Sequence, residues 1–190
     1  MKRFSRSFYE RDAARVAQDL LGKVLIHRSP EGITSGMIVE TEAYFGKRDP
    51  ASRASRKRTK LNELMWWRGG LAFVYNVHNN WMFNVTAERE GVPGAVLLRA
   101  VEPLQGAELM KRRRSLEDER LLASGPGRMT RAMGITYDHH KIDMTRSRVL
   151  TIADAAPTKF KTSRSHRIGV SADLKRKLRF FIDGNCFVSR

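Results

Sequence analysis

The chain has very little cysteine: Cys186 stands alone among 190 residues, so no internal disulfide and no multi-cysteine zinc site can be built. A reducing compartment suits such a chain. Long apolar runs are missing too. No window supplies the roughly 18 to 20 apolar residues that span a bilayer, and the opening MKRFSRSFYERD carries charge where a signal peptide needs an apolar core. These absences predict a soluble intracellular protein with no membrane partner. Acids are scarce beside bases, 20 Asp and Glu against 36 Lys and Arg, for a formal net charge of +16. Such a balance favours a polyanion over a neutral small molecule, and nucleic acid is the first expectation. His27, His78, His139, His140 and His166 show no ligand spacing, so neither a metal nor another cofactor is expected. The length fits one domain over 1–190, since single domains most often hold on the order of 100 to 200 residues.

The basic residues are clustered. Lys47, Arg48, Arg53, Arg56, Lys57, Arg58, Lys60 and Arg68 share a stretch with only Asp49 and Glu63, and Lys111 to Arg114 form a second run. A solvated helix face usually alternates signs, so both clusters point to phosphate contact.

Ser7 and Glu10 have capping-box spacing ahead of Val16, Leu20 and Leu21, with Gly22 as a stop, which predicts one amphipathic helix of about four turns. Lys23 to His27 and Gly36 to Ala43 read as strands joined by a turn at Ser29-Pro30-Glu31-Gly32. Residues 45–70 predict a long functional loop with one helical turn near Leu61 to Met65. Phe73 to Val77 and Trp81 to Thr86 flank His78-Asn79-Asn80 as a hairpin would, and Ala95 to Val101 reads as an apolar strand ended by Pro103. Helical material follows from Leu104 to Leu122. Ser124-Gly125-Pro126-Gly127 then opens a helix to Met133 with Gly134 as its stop. The tail predicts strands at Arg167 to Val170, Leu178 to Ile182 and Phe187 to Ser189. Strands clustered without βαβ alternation give an α+β fold around a curved, antiparallel-rich sheet.

Glu40 and Glu42, in Ile38-Val39-Glu40-Thr41-Glu42-Ala43-Tyr44, share one strand face because side chains two apart point the same way. A carboxylate at a strand end beside an aromatic suits a general base; most such residues are edge carboxylates paired to Lys or Arg. Arg99 lies within an apolar strand and needs an anionic partner, which Glu42 or a phosphate would supply.

The run Val39-Glu40-Thr41-Glu42-Ala43-Tyr44-Phe45-Gly46, followed by Asp49-Pro50-Ala51-Ser52, resembles the signature of the alkyladenine (3-methyladenine) DNA glycosylase family. Phe73-Val74-Tyr75, Asn84-Val85, Ala95 to Pro103, Ser124-Gly125-Pro126, Arg167-Ile168-Gly169-Val170 and Leu178 to Phe181 agree with it in order, from about Phe8 onward. The resemblance implies a mixed, curved sheet flanked by helices, with a protruding hairpin that enters the minor groove and takes the place of a flipped base. It implies a monomeric, monofunctional enzyme acting on duplex DNA that carries a damaged purine. Glu42 would be the general base that deprotonates water for attack at C1′, with Arg99 and the carbonyl of Ile168 holding that water.

Tyr44 is the expected platform under the flipped base, with Tyr75 opposite; the alternative for both is a place in the core. Asn84 matches the residue that clashes with the amine of normal guanine. Gly125 and Arg128, opening a helix, are candidate phosphate contacts. Two positions depart from the family pattern. Arg53 replaces a histidine that hydrogen-bonds the base, so it either faces the base or reaches a phosphate. His78 replaces the intercalating tyrosine, with Trp81 as the alternative plug. Two other readings are weighed. A helix-hairpin-helix glycosylase, suggested by Gly125-Pro126-Gly127-Arg128, is mostly helical and places its catalytic Asp after that hairpin. A noncatalytic basic nucleic-acid-binding protein has no need to bury Glu42 with Arg99.

Overall fold

The computed structural model describes residues 2–155 and 159–189. Among these residues eight strands form one sheet: β1 (Val24–Ser29), β2 (Gly32–Tyr44), β3 (Ala72–Val77), β4 (Asn80–Thr86), β5 (Ala95–Gln105), β6 (Leu150–Ala153), β7 (Thr162–Ser165) and β8 (Arg179–Ile182). The main order is β3-β4-β5-β2-β1-β6, with β8 on β2 and β7 on β8, and every pairing is antiparallel. The fold is α+β around a curled sheet, as the strand clustering predicted.

The 13-residue β2 organises the sheet. One of its edges runs along β5; the other pairs first with β1 and then, at Glu40 to Glu42, with β8. It packs closely on β5 at Gly36, where a Cβ would lie 2.7 Å from the Val101 side chain. The same crossing accommodates Pro103 through a register shift at Ser35/Gly36, so β5 continues to Gln105 and Pro103 does not end it. A proline inside a ladder is tolerated at such irregularities.

The first helical segment is broken. α1 (Arg6–Tyr9) and α2 (Ala13–Asp19) are separate, and the cap is Asp12, whose side chain accepts from the N–H groups of Ala14 and Arg15. The Ser7/Glu10 capping box does not form: an Asp one residue before the apolar stripe is the better cap. α2 lies on β2 and β5. Its Val16, and Leu20 just after its end, enter the core with Leu25, Ile38, Val74, Phe83 and Leu98.

The helical stretch after β5 divides into α3 (Ala107–Arg114) and α4 (Glu119–Leu122), and α5 (Pro126–Met133) ends at Gly134 in the left-handed region (φ +73°). α5 packs on β4 and β5 and buries Met129, Ala132 and Met133. In the tail only β8 falls where a strand was expected. Arg167 to Val170 and Phe187 to Ser189 are irregular, and β6 and β7 were not foreseen.

Candidate active site

Glu42 sits near the end of β2, fully buried. Its Oε1 accepts from the Ile168 N–H at 2.8 Å, and its Oε2 accepts from the Tyr44 hydroxyl at 2.8 Å. Arg99 Nη1 lies 3.2 Å from Oε1. Burial pushes the Glu42 carboxyl above the ordinary carboxylate range, while Arg99 and the two hydrogen bonds pull it back. Burial likewise raises the Tyr44 hydroxyl, and the Glu42 charge reinforces the effect.

Arg99 reaches this place through a fault in the ladder. Ile38 pairs with Val101, Glu40 with Ala100 and Thr41 with Leu98, so β5 carries one extra residue at Arg99 and β2 one at Val39. Bulges of this kind re-aim a side chain. The Arg99 guanidinium consequently serves two carboxylates, with Nε on Glu40 Oε1 at 2.8 Å and Nη1 facing Glu42. Burial works against its charge, yet Glu42 and Glu40 more than offset that and hold its proton more tightly than usual. The sequence offered Glu42 or a phosphate as the partner of Arg99; Glu40 is the nearer of its two carboxylates.

A groove of about 490 Å³ opens over this cluster, and Tyr44, Arg53, Tyr75, Arg99, Pro126 and Ile168 are among its walls. The fold thus brings together six residues that lie far apart in the sequence. A recess of about 20 Å³ adjoins it and adds Asn84, Met65 and Phe73. Another groove of about 600 Å³, between Arg3, Arg28 and Arg148, shares no residue with either. The Arg167 guanidinium lies 4.6 Å over the Tyr44 ring, and that of Arg53 lies 4.2 Å over the Tyr75 ring. Both tyrosines are half-buried, so they form a wall of the groove and not the interior of the core.

Sequence reasoning overlooked the clamp behind this wall. Arg167 is bidentate to buried Asp49, at 2.7 and 2.6 Å, and also bonds Asp173 and the Ala43 carbonyl. It therefore pins the 45–49 loop and the segment holding Ile168 to the end of β2. The available signal was Asp49, an acid inside a basic loop.

A model of the methylpurine-DNA glycosylase family matches residues 7–186. The chain belongs to that family. A relative from Oceanobacillus iheyensis, named "Putative 3-methyladenine DNA glycosylase", is 39% identical, covering 98% of this chain and 95% of its own. One from Methanoculleus marisnigri is 40% identical, with 97% of each covered. A third, from Bacillus subtilis, is 37% identical over 97% of this chain and 95% of its own. A methylpurine-DNA glycosylase is a hydrolase acting on N-glycosyl bonds of DNA, which accounts for the basic composition.

Within this glycosylase the remaining candidates are distributed as follows. Asn84 is buried and donates to the Phe73 carbonyl at 3.2 Å, which fixes its amide in the recess wall. The hairpin closes on two residues, His78 (φ +46°) and Asn79 (φ +62°), one fewer than the sequence suggested, because Asn80 already pairs with Val77. His78 is exposed at the tip, whereas Trp81 packs on Tyr137 and is committed to the protein. The Gly125 N–H is taken by the Arg99 carbonyl at 3.0 Å, so it is not a free amide for a phosphate; Arg128, exposed on the first turn of α5, donates to the Ser124 carbonyl at 3.4 Å and has no carboxylate partner among the described residues. Among the described residues no cluster of three or more His, Cys, Asp or Glu could hold a metal, and no helix is long and apolar enough to cross a membrane.

Proposed function

We propose that the enzyme removes damaged purines, methylated or deaminated, from duplex DNA by flipping the nucleotide into the groove beside Tyr44 and hydrolysing its glycosidic bond with Glu42 as base. The carrying observation is the buried Glu42 carboxylate, whose three partners Ile168, Tyr44 and Arg99 all line one groove walled by aromatics. Departure of a purine leaves an oxocarbenium-like sugar, so a carboxylate there activates water and stabilises the developing positive charge. The water oxygen bonds to C1′, its proton goes to Glu42, and the C1′–N bond pair leaves with the base. Tyr44 supplies a stacking surface worth roughly 1 to 3 kcal/mol, which helps offset the few kcal/mol of unpairing. His78 at the hairpin tip fills the gap in the duplex. Among the described residues no lysine lines the groove or its recess to trap the sugar, so the product is an intact abasic site and the enzyme has no lyase step. All of these residues lie on one chain, which suits a monomer.

Glu42→Gln tests the assignment. Single-turnover base release should vanish while lesion-duplex affinity stays within a few-fold, because the carboxylate serves the chemical step. Since an ionised, buried Glu42 costs stability at neutral pH, the variant should melt no lower than the parent. Retained base release, or a borohydride-trapped covalent complex with the parent enzyme, contradicts the mechanism.

A further inference from the structure

A second, heavily bonded carboxylate lies close to Glu42. Glu40 is fully buried, two residues before Glu42. Its Oε1 accepts from Arg99 Nε at 2.8 Å, Arg179 Nε at 2.6 Å and Ser189 Oγ at 2.9 Å, and its Oε2 accepts from the Ser189 N–H at 2.7 Å. Ser189 also accepts from Arg99 Nη2 at 3.3 Å, and its carbonyl accepts from Arg179 Nη2 at 3.0 Å. Four donors on two oxygens match an acceptor-only carboxylate. Two nitrogens of the Arg99 guanidinium are thereby fixed, and the third, Nη1, is left facing Glu42.

We propose that Glu40 is a positioning residue for base excision: with Ser189 it orients Arg99, holding the guanidinium beside Glu42 without letting it close over the carboxylate. This rests on the reading of Glu42 as the general base. The geometry gives the reason for two carboxylates on one strand face. Arg99 alone with Glu42 would form a tight pair, lowering the basicity of Glu42 and covering the oxygen that water needs. Shared with Glu40, the guanidinium is drawn to the nearer carboxylate, 2.8 Å against 3.2 Å. The charge of Glu40 also opposes ionisation of Glu42, which keeps the base stronger than Arg99 by itself would allow.

The test is Glu40→Gln, with single-turnover release of 7-methylguanine from a duplex followed across pH. That base leaves uncharged without being protonated first, so the acid limb reports the general base. Glutamine carries no charge and turns an N–H₂ towards donors, so Arg99 swings to Glu42. Two effects then coincide: the acid limb moves to lower pH by about one unit, and the plateau falls by about ten- to a hundredfold. Affinity for lesion duplex is expected to stay within a few-fold.

A folded variant with an unmoved limb or an undiminished plateau overturns the proposal, because a scaffold role alters only the amount of active protein. If Glu40→Gln does not fold, Ser189→Ala decides: it keeps both charges and removes one Arg99 partner. A several-fold slower release at unchanged affinity supports the proposal, and an unchanged rate overturns it. Glu42→Gln runs alongside. Base release by that variant refutes the reading of Glu42 itself, whereas an inactive Glu42→Gln beside an unimpaired Glu40→Gln refutes only the role of Glu40.

Discussion

Arg53 is the groove residue whose chemistry bears most on which base is removed. Its guanidinium covers the Tyr75 ring at 4.2 Å, so the groove already holds a fixed positive charge on one aromatic face. A cationic methylpurine entering beside it meets like charge, while a neutral purine with an oxygen at C6 meets a donor that cannot lose its proton. We expect the enzyme to favour hypoxanthine over cationic methylpurines, and Arg53→His to reverse part of that bias. One charge-assisted hydrogen bond is worth about 1.5 to 3 kcal/mol, so the ratio of single-turnover rates on the two lesions should move by roughly ten- to a hundredfold. If the variant slows both alike and flattens their salt dependence, Arg53 is a phosphate contact and does not select the base.

At the scale of elements, a buried histidine pair joins β1 to the turn after α5. His27 Nδ1 is 2.7 Å from the Met133 carbonyl, which can only accept, so that nitrogen bears the proton and His27 Nε2 is bare. His139 Nε2, at 2.8 Å, must then donate, leaving His139 Nδ1 to accept from the Thr136 N–H at 3.1 Å. A second proton on either ring sets N–H against N–H. Burial accordingly holds both below the ordinary value of 6.5, with the neighbouring His139 and Arg113 adding to the effect on His27. Because the unfolded rings take protons first, stability should be full above about pH 6.5 and decline as pH falls towards the lowered values. A double His27→Gln, His139→Gln variant should show a flatter Tm against pH over that window; an equally steep decline would place the acid sensitivity elsewhere. This pair also marks where sequence reading stops. The β3–β4 hairpin was legible because alternation and turn residues are local signals, and Glu42, Tyr44 and Asn84 were legible through the motif they share with a family. The His27–His139 bond spans 112 positions, Glu40–Ser189 spans 149 and Asp49–Arg167 spans 118. No periodicity reports such contacts. For the same reason Phe187 to Ser189 read as a strand, although Ser189 spends its N–H on Glu40.

For the molecule as a whole, the net charge of +16 is divided between two different uses. All eight basic residues of the 47–68 stretch are exposed, and the two acids among them are engaged elsewhere, Asp49 with Arg167 and Glu63 facing Lys141. The 111–114 run is different. Lys111 faces Glu108, Glu117 and Glu119, Arg113 bonds Glu31 and Ser29, and Arg114 donates to the Leu122 carbonyl. Of these two runs the first is the more available to phosphates, since in the second only Arg112 is exposed, and each phosphate neutralised contributes about 0.9 to the slope of log K against log salt on B-DNA. A triple Arg56→Gln, Lys57→Gln, Arg58→Gln variant should therefore bind duplex with a slope shallower by about two to three, and with little change in Tm. A Lys111→Gln, Arg113→Gln variant should instead lower Tm and leave the slope within about half a unit of the parent. Titrations of labelled duplex between low and moderate salt, paired with thermal melts, separate the two. Equal flattening by both variants would mean that the α3 cations leave their carboxylate partners for DNA, and the division argued from their pairing would then be wrong.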